Sequence, residues 1–127
     1  MTGYKLGFFP KDVVTAYISY PYSDDPPRRT REVAAIASKI VLGTEARVAT
    51  IVPHYVFDMM LINFIEQGNW LFVIDWELAV IEQCDLFVLG CKLDYEVSPG
   101  MVWEAGFARR IGKPVLTPDE VVEAYKP

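Results

Sequence analysis

Two patterns of apolar residues, short continuous runs and repeats every three or four residues, predict strands that alternate with helices. Short runs rich in β-branched and aromatic residues are typical of buried strands, and they occupy residues 14–20, 47–52, 86–89 and 114–117. Apolar positions repeating every three or four residues predict helices over residues 27–42, 56–66, 70–83 and 99–111, and from Thr117 to about Lys126. Such alternation favours parallel strands joined by right-handed crossovers.

The fold class follows from this order. We predict an α/β protein, a single-domain three-layer sandwich with a parallel flavodoxin-like or Rossmann-like sheet of four to five strands. A chain of 127 residues suits one domain spanning residues 1–127. Residues 1–12 show no periodicity, and we expect them to form a loosely held N-terminal arm.

Parallel sheets of this kind bind ligands beyond the carboxyl ends of their strands. The first such loop brings the hydroxyl groups of Tyr17, Ser19 and Tyr20, which could orient a sugar or a carboxylate, or simply pack with their tips in water. His54 follows the second strand, where it could bind substrate or titrate near neutral pH. A hydrogen-bonded structural role is the alternative for this histidine.

The helix over residues 99–111 carries the most informative carboxylate. Its apolar stripe consists of Met101, Ala105, Ala108 and Ile111. Glu104 lies at the edge of that stripe, where an ionised group is costly unless it is paired or used. Its position near the helix N-terminus favours the charged form, so Glu104 could be a nucleophile on a sugar. Ser98 either caps this helix or helps to hold an anion there.

A second carboxylate comes from the helix over residues 70–83. Glu77 flanks its core stripe, whereas Glu82 faces away and is expected in solvent. Paired carboxylates suit glycosidic chemistry, in which one attacks or stabilises C1 and the other handles protons. Simple solvation of a surface helix is the alternative for each acidic residue.

Composition excludes several other classes of function. A net charge of −5 argues against a nucleic-acid polymer as partner, and no apolar run reaches membrane-spanning length. We see no signal peptide. Cys84 and Cys91 bracket a predicted strand that holds them too far apart for a disulfide, and unpaired thiols fit a reducing cytoplasm. With a single histidine no metal site is expected, and the P-loop, dinucleotide and G-x-S-x-G motifs do not occur.

Three segments in this order resemble the nucleoside 2-deoxyribosyltransferase-like superfamily, which includes 2′-deoxynucleoside 5′-phosphate N-hydrolases. They are AYISYPY at residues 16–22, WELAVIEQCDLFV at residues 76–88, and SPGMVWEAGFA at residues 98–108 followed by GKPV at residues 112–115. The last segment, similar to the family's nucleophile helix, is the most specific. Together the matching segments lie within residues 14–117.

The resemblance implies roles for individual residues. Glu104 would be the nucleophile, Tyr17 would position its carboxylate, and Glu77 would stand where the family usually has an Asp that contacts the deoxyribose and assists proton transfer. Ser98 would help hold the 5′ end of the substrate, phosphate included, and Gly100, Ser19, Tyr20 and His54 complete the expected substrate-binding set. Two positions depart from the family: Glu77 reaches about one methylene further than Asp, and Tyr20 replaces a small residue, which would narrow the crevice.

The resemblance implies cleavage or transfer of the N-glycosidic bond of 2′-deoxynucleosides or their 5′-monophosphates, with no cofactor. A non-catalytic nucleotide-binding module on the same scaffold is the alternative, since fold does not fix function. A glycohydrolase of ribonucleotides is a third possibility. The small-molecule partner is a nucleoside or nucleotide. Family members commonly form homodimers or larger homo-oligomers, for which apolar residues 59–62 could supply a surface.

Overall fold

The computed structural model describes residues 3–53 and 70–127. In chain order the elements are β1 (Tyr4–Lys5), β2 (Phe9–Pro10), β3 (Val14–Ser19), α1 (Pro26–Gly43), β4 (Val48–Ile51), α2 (Trp70–Gln83), β5 (Leu86–Leu89), α3 (Pro99–Arg110), β6 (Val115–Leu116) and α4 (Pro118–Tyr125). The predicted strands and helices in these ranges are confirmed, with ends that differ by at most one residue. The helix predicted over residues 56–66, with its proposed oligomer surface at residues 59–62, lies outside the described residues.

The main sheet has the strand order β4-β3-β5-β6, and every neighbouring pair is parallel. The α/β fold class and the parallel sheet are therefore confirmed, with four strands in the described part of the chain. The chain crosses from β3 to β4 on one side and later returns to β5 on the other. The carboxyl ends of β3 and β5 therefore form the switch point at which such sheets bind ligands.

Side chains of β3 alternate between two apolar cores, one on each face of the sheet. Ala16 and Ile18 are fully buried in the core that α1 and α4 cover, together with Val33 and Val121. Tyr17 points to the opposite face, into the core that contains residues of α2 and α3. The three layers are therefore α1 and α4, the sheet, and α2 with α3.

Local sequence signals define where the helices begin. The Asp25 side chain accepts a hydrogen bond from the Arg28 backbone N–H, and prolines occupy the first turn of α1. The predicted helix start at Thr117 is confirmed as a capping box, in which Thr117 and Glu120 each bind the other's backbone N–H. These caps satisfy backbone donors that the first helical turn leaves unpaired.

The N-terminal segment, predicted as a loose arm, contains a short antiparallel hairpin formed by β1 and β2. Lys5 Nζ lies 2.6 Å from Asp85 Oδ2 at the start of β5. The same Asp85 oxygen accepts hydrogen bonds from the backbone N–H and the hydroxyl of Thr15, at 2.9 and 3.1 Å. Asp85 thus joins the hairpin to the amino edge of the sheet, opposite the ligand edge.

The state of the cysteines and the absence of a membrane-spanning helix were also predicted from the sequence. Both cysteines are free, Cys84 buried and Cys91 half-buried. Within the described ranges, no helix combines the length and apolar character needed to cross a membrane.

Candidate active site

The carboxyl end of β3 supplies two hydroxyl groups on one face of the sheet. Tyr17 and Ser19 are two residues apart, so their side chains point the same way, and both are fully buried. The Tyr17 ring stacks on Phe87 of the neighbouring strand, with ring centroids 5.8 Å apart and planes inclined by 14°. This packing fixes the direction in which the Tyr17 hydroxyl points.

Helix α3 brings Glu104 to these hydroxyls. Ser98 caps the helix by accepting a hydrogen bond from the Met101 backbone N–H at 3.4 Å, and Pro99 occupies the first turn. The predicted buried stripe is confirmed for Met101, Ala105 and Ala108. It is wrong for Ile111, which is 39% exposed because the helix ends at Arg110 and Ile111 becomes its C-cap.

Glu104 is 5% exposed and fully engaged in hydrogen bonds. The Tyr17 hydroxyl donates to Oε2, and the Ser19 hydroxyl donates to Oε1 at 2.8 Å. Glu77 is a third hydrogen-bonding partner of this carboxylate. Within the described ranges, no Lys or Arg forms an ion pair with Glu104. The negative charge is therefore balanced by neutral donors rather than by a cation.

Burial and hydrogen bonding act on Glu104 in opposite directions. Desolvation is the larger effect and raises the pKa of Glu104, while the bonds from Glu77, Tyr17 and Ser19 lower it. A carboxylate whose desolvation is only partly offset is more basic than one in water. A raised pKa of this origin is typical of carboxylates in functional sites.

Glu77 enters the site from α2. It is 6% exposed and lies one turn from the buried Ile74 and Ile81, whereas Glu82 is exposed, as the helical spacing predicts. A hydrogen bond between two carboxyl groups requires one of them to carry a proton. The bond between Glu77 and Glu104 lowers the pKa of Glu104, which is the effect of a hydrogen bond accepted by the ionised form. The two carboxyl groups therefore share one proton between them.

Ser98 and Gly100 lie where α3 begins, at the same edge of the sheet. The Ser98 hydroxyl serves as the N-cap. A methyl group placed on Gly100 would lie 3.6 Å from Ile74 Cδ1, an ordinary contact, so α2 packs close to this turn. His54, also expected to bind substrate, lies outside the described residues.

Tyr20 lies apart from the Glu104 cluster, although it follows Ser19 directly. Its ring packs against the core beneath α1, its hydroxyl donates to Glu32 at 3.2 Å, and the Arg29 guanidinium lies 5.7 Å from the ring centroid. Burial and the Glu32 carboxylate raise the pKa of Tyr20. The side chain thus braces the loop between β3 and α1 on the face opposite Glu104.

Two residues that support Tyr17 and Tyr20 were not predicted from the sequence. Phe87 supports the Tyr17 ring, and this pairing depends on the register of β3 against β5. Gly90 makes room for Tyr20, since a methyl group there would lie 2.6 Å from the Tyr20 ring and 3.1 Å from the Ser19 carbonyl oxygen. For Gly90, the sequence signal was a glycine directly after a predicted strand, which can mark a close approach between neighbouring groups.

The arrangement is that of an acid–base pair at a ligand-binding edge. A buried carboxylate oriented by two hydroxyls, beside a protonated carboxyl, can attack an electrophilic carbon while its neighbour supplies a proton. In the described part of the chain, no group of three or more His, Cys, Asp or Glu side chains is placed to hold a metal ion. Comparison with protein-family models, curated proteins and solved structures found no match to this chain.

Proposed function

We propose that the protein cleaves or transfers the N-glycosidic bond of 2′-deoxynucleosides or their 5′-monophosphates, with Glu104 as nucleophile. The observation that carries the proposal is the buried Glu104 carboxylate held by Tyr17, Ser19 and Glu77 at the ligand edge of a parallel sheet. The resemblance of residues 98–108 to a nucleophile helix supports the same assignment. No cofactor takes part in the proposed reaction.

The proposed reaction has two steps. In the first, a Glu104 oxygen bonds to C1′ as the C1′–N bond breaks, and the proton of Glu77 goes to the departing base. In the second, a water molecule or another base attacks C1′ and gives its proton to the Glu77 carboxylate, which releases Glu104. Two displacements at one carbon give net retention. Water as acceptor makes the protein a hydrolase, and a second base makes it a transferase.

The contact between Glu77 and Glu104 sets a condition on this mechanism. Retaining glycosidases hold their two carboxyl groups roughly 5–5.5 Å apart, which is wider than a hydrogen bond. A sugar entering the site must therefore separate the two groups by about 2 Å. The extra methylene of Glu77, compared with the Asp of the resembling family, gives the side chain the length to reach Glu104 without substrate and to move back with it.

The same contact is the observation that favours a second candidate, a non-catalytic nucleotide-binding module. If the two carboxyl groups stay bonded to each other, C1′ cannot reach Glu104 and the crevice only binds. Release of free base separates the two candidates. The protein is incubated with deoxy- and ribonucleosides and their monophosphates, and the bases are measured by chromatography.

Variants make this assay specific for the mechanism. Glu104→Gln keeps the shape of the side chain but removes its nucleophilicity, so we expect base release to fall by at least about 1,000-fold, as expected for loss of a covalent nucleophile. Glu82→Gln makes the same change at an exposed position of α2 and should release base at the wild-type rate. Mass spectrometry should find a deoxyribosyl group on the peptide that contains Glu104. Undiminished release by Glu104→Gln would disprove the mechanism.

The proposal also includes an oligomeric state and a cellular location. We propose a homodimer or larger homo-oligomer in which a neighbouring subunit closes the site, and light scattering that finds a monomer would refute it. The free thiols of Cys84 and Cys91 support a reducing, cytoplasmic location. Fractionation that recovers the protein in an oxidising compartment would contradict this location.

A further inference from the structure

Arg28 and Arg29, in the first turn of α1, are both paired with nearby carboxylates. Arg29 donates to both oxygens of Asp24, at 2.9 and 2.8 Å, and to Glu32 at 3.2 Å. The Arg29 side chain is only 15% exposed. Arg28 lies within 4.0 Å of three carboxylates, those of Asp24, Asp25 and Glu32. Both guanidinium groups are therefore already neutralised by residues of their own segment.

The N-terminus of α1 is also closed to a phosphate group. Helix N-termini bind phosphate through free backbone N–H groups. Pro26 and Pro27 occupy the first two helical positions and have no N–H. The Asp25 carboxylate accepts the hydrogen bond of the next donor, at Arg28, and places a negative charge where the phosphate would lie.

The loop between β5 and α3 has an excess of negative charge. Residues 90–98 contain one cation, Lys92, and two carboxylates, Asp94 and Glu96. Asp94 Oδ1 accepts hydrogen bonds from the backbone N–H groups of Glu96 and Val97, at 3.0 and 3.4 Å. A phosphate group would have to compete with this carboxylate for the same donors.

Two positions in the first turn of α3 offer no free N–H group to an anion. Pro99 lacks an N–H, and the Ser98 hydroxyl accepts the bond of Met101. The shared charge of Glu104 and Glu77 lies behind this turn and repels a second anion.

We infer that the substrate at the Glu104 site is an uncharged nucleoside and that its 5′-monophosphate is a poor substrate. The inference rests on the proposed function and makes it narrower. A phosphate monoester carries about −1.5 to −2 charges at pH 7 and needs cationic or N–H partners to replace its water. This edge offers paired arginines, capped helix ends and surplus carboxylates instead. The neutral hydroxyl group of a nucleoside can instead donate a hydrogen bond to a carboxylate.

The test compares matched pairs, such as 2′-deoxyadenosine with its 5′-monophosphate, and measures kcat/KM for base release. We expect the nucleoside to be preferred at least tenfold at low ionic strength, and the preference to shrink as added salt screens the repulsion. Equal or better turnover of the monophosphate would overturn the inference while leaving the proposed function in place.

A charge substitution checks the cause of this preference. Glu96→Lys should raise kcat/KM for the monophosphate several-fold and leave that for the nucleoside unchanged. The matched control is Glu123→Lys on α4, an exposed position far from this edge, where neither substrate should respond. If Glu96→Lys changes both substrates alike, charge at this edge does not select the substrate, and the inference is wrong.

If the proposed function is wrong, neither compound of the pair will release its base. If neither substrate releases base, calorimetric titration of the wild-type protein with the same pair still decides which class of ligand the site takes. Tighter binding of the nucleoside supports the inference for a binding module. Binding of the monophosphate that is equal or tighter, or no binding of either compound, overturns it.

Discussion

Replacing Glu104 by glutamine should make the protein more stable, although it removes the proposed nucleophile. The substitution keeps the size of the side chain and removes a charge that is 5% exposed. The amide oxygen can still accept from one hydroxyl group, and the two amide N–H groups can donate to the oxygen of the other hydroxyl and to Glu77. The polar contacts therefore persist while the desolvation of a carboxylate disappears.

The magnitude follows from two opposing contributions. Burial of an ion costs several kcal/mol, and each hydrogen bond to a charged group returns about 1.5–3 kcal/mol. The pKa of Glu104 is raised chiefly by desolvation, so its three hydrogen bonds do not fully compensate. We expect a net gain of about 0.5–2 kcal/mol in the free energy of unfolding. For a domain of this size the gain raises Tm by roughly 2–8 °C.

The effect should depend on pH with a defined sign. Below the ordinary glutamate value of 4.5, Glu104 is protonated in the folded and unfolded states, and ionisation costs nothing. As pH rises above that value the unfolded chain ionises first, because the folded pKa is higher, and wild-type stability falls. The glutamine variant has no such loss. Its advantage should be small at pH 4 and reach its full size once pH exceeds the raised pKa.

Thermal unfolding followed by circular dichroism between pH 4 and pH 8 measures this difference. Glu82→Gln is the matched control, because it makes the same chemical change at an exposed position and should leave Tm unchanged. A Glu104→Gln variant that melts below the wild type at pH 7 would refute the reasoning. So would an advantage that does not vary with pH.

Three further predictions follow from individual contacts. Tyr17→Phe removes one donor from the buried carboxylate and should lower kcat/KM for base release by about 10- to 100-fold, corresponding to about 1.5–3 kcal/mol, with little change in the circular dichroism spectrum. Gly90→Ala places a methyl group 2.6 Å from the Tyr20 ring, so it should lower the free energy of unfolding by about 1–3 kcal/mol. Gly106→Ala adds a methyl group in open space inside a helix and should raise the free energy of unfolding by about 0.5–1 kcal/mol. Urea titration measures both changes. Burial works to raise the pKa of Asp85, but its hydrogen bonds lower it overall. Because the side chain is 44% exposed and its charge is screened by solvent, Asp85→Asn should destabilise the protein by only about 0.5–1 kcal/mol at pH 7. The difference should shrink as pH falls below 3.8 and vanish once pH is below the lowered folded pKa. A pH-independent loss would contradict this account of Asp85.

The order of strands and helices could be predicted because each element carries its own periodic signal. The run Leu86–Leu89 and the cap at Thr117 agree with the structure residue by residue. The N-terminal hairpin could not be predicted in this way. Each of its two strands is two residues long, a single period of strand alternation, which is too short to form a pattern. The Lys5–Asp85 contact joins residues far apart in sequence.

The candidate site was predictable wherever one helix or one strand determines the direction of a side chain. Helical spacing placed Glu104 at the edge of a buried stripe, and the two-residue period of β3 put Tyr17 and Ser19 on one face. Tyr20 shows the limit of such reasoning. Its role in substrate binding stays a prediction, whereas its side chain lies on the other face, where α1 supplies Glu32 and Arg29.

The pairing of Glu77 with Glu104 could not be predicted from the sequence, because it depends on how two helices pack. Each carboxylate by itself is a common feature of an amphipathic helix, and only the packing of α2 against α3 converts two separate acids into one proton-sharing pair. Such a pair is held together by the proton between its members. In the proposed mechanism, an entering sugar breaks this contact, and the proton that held the pair together is then available to the departing base.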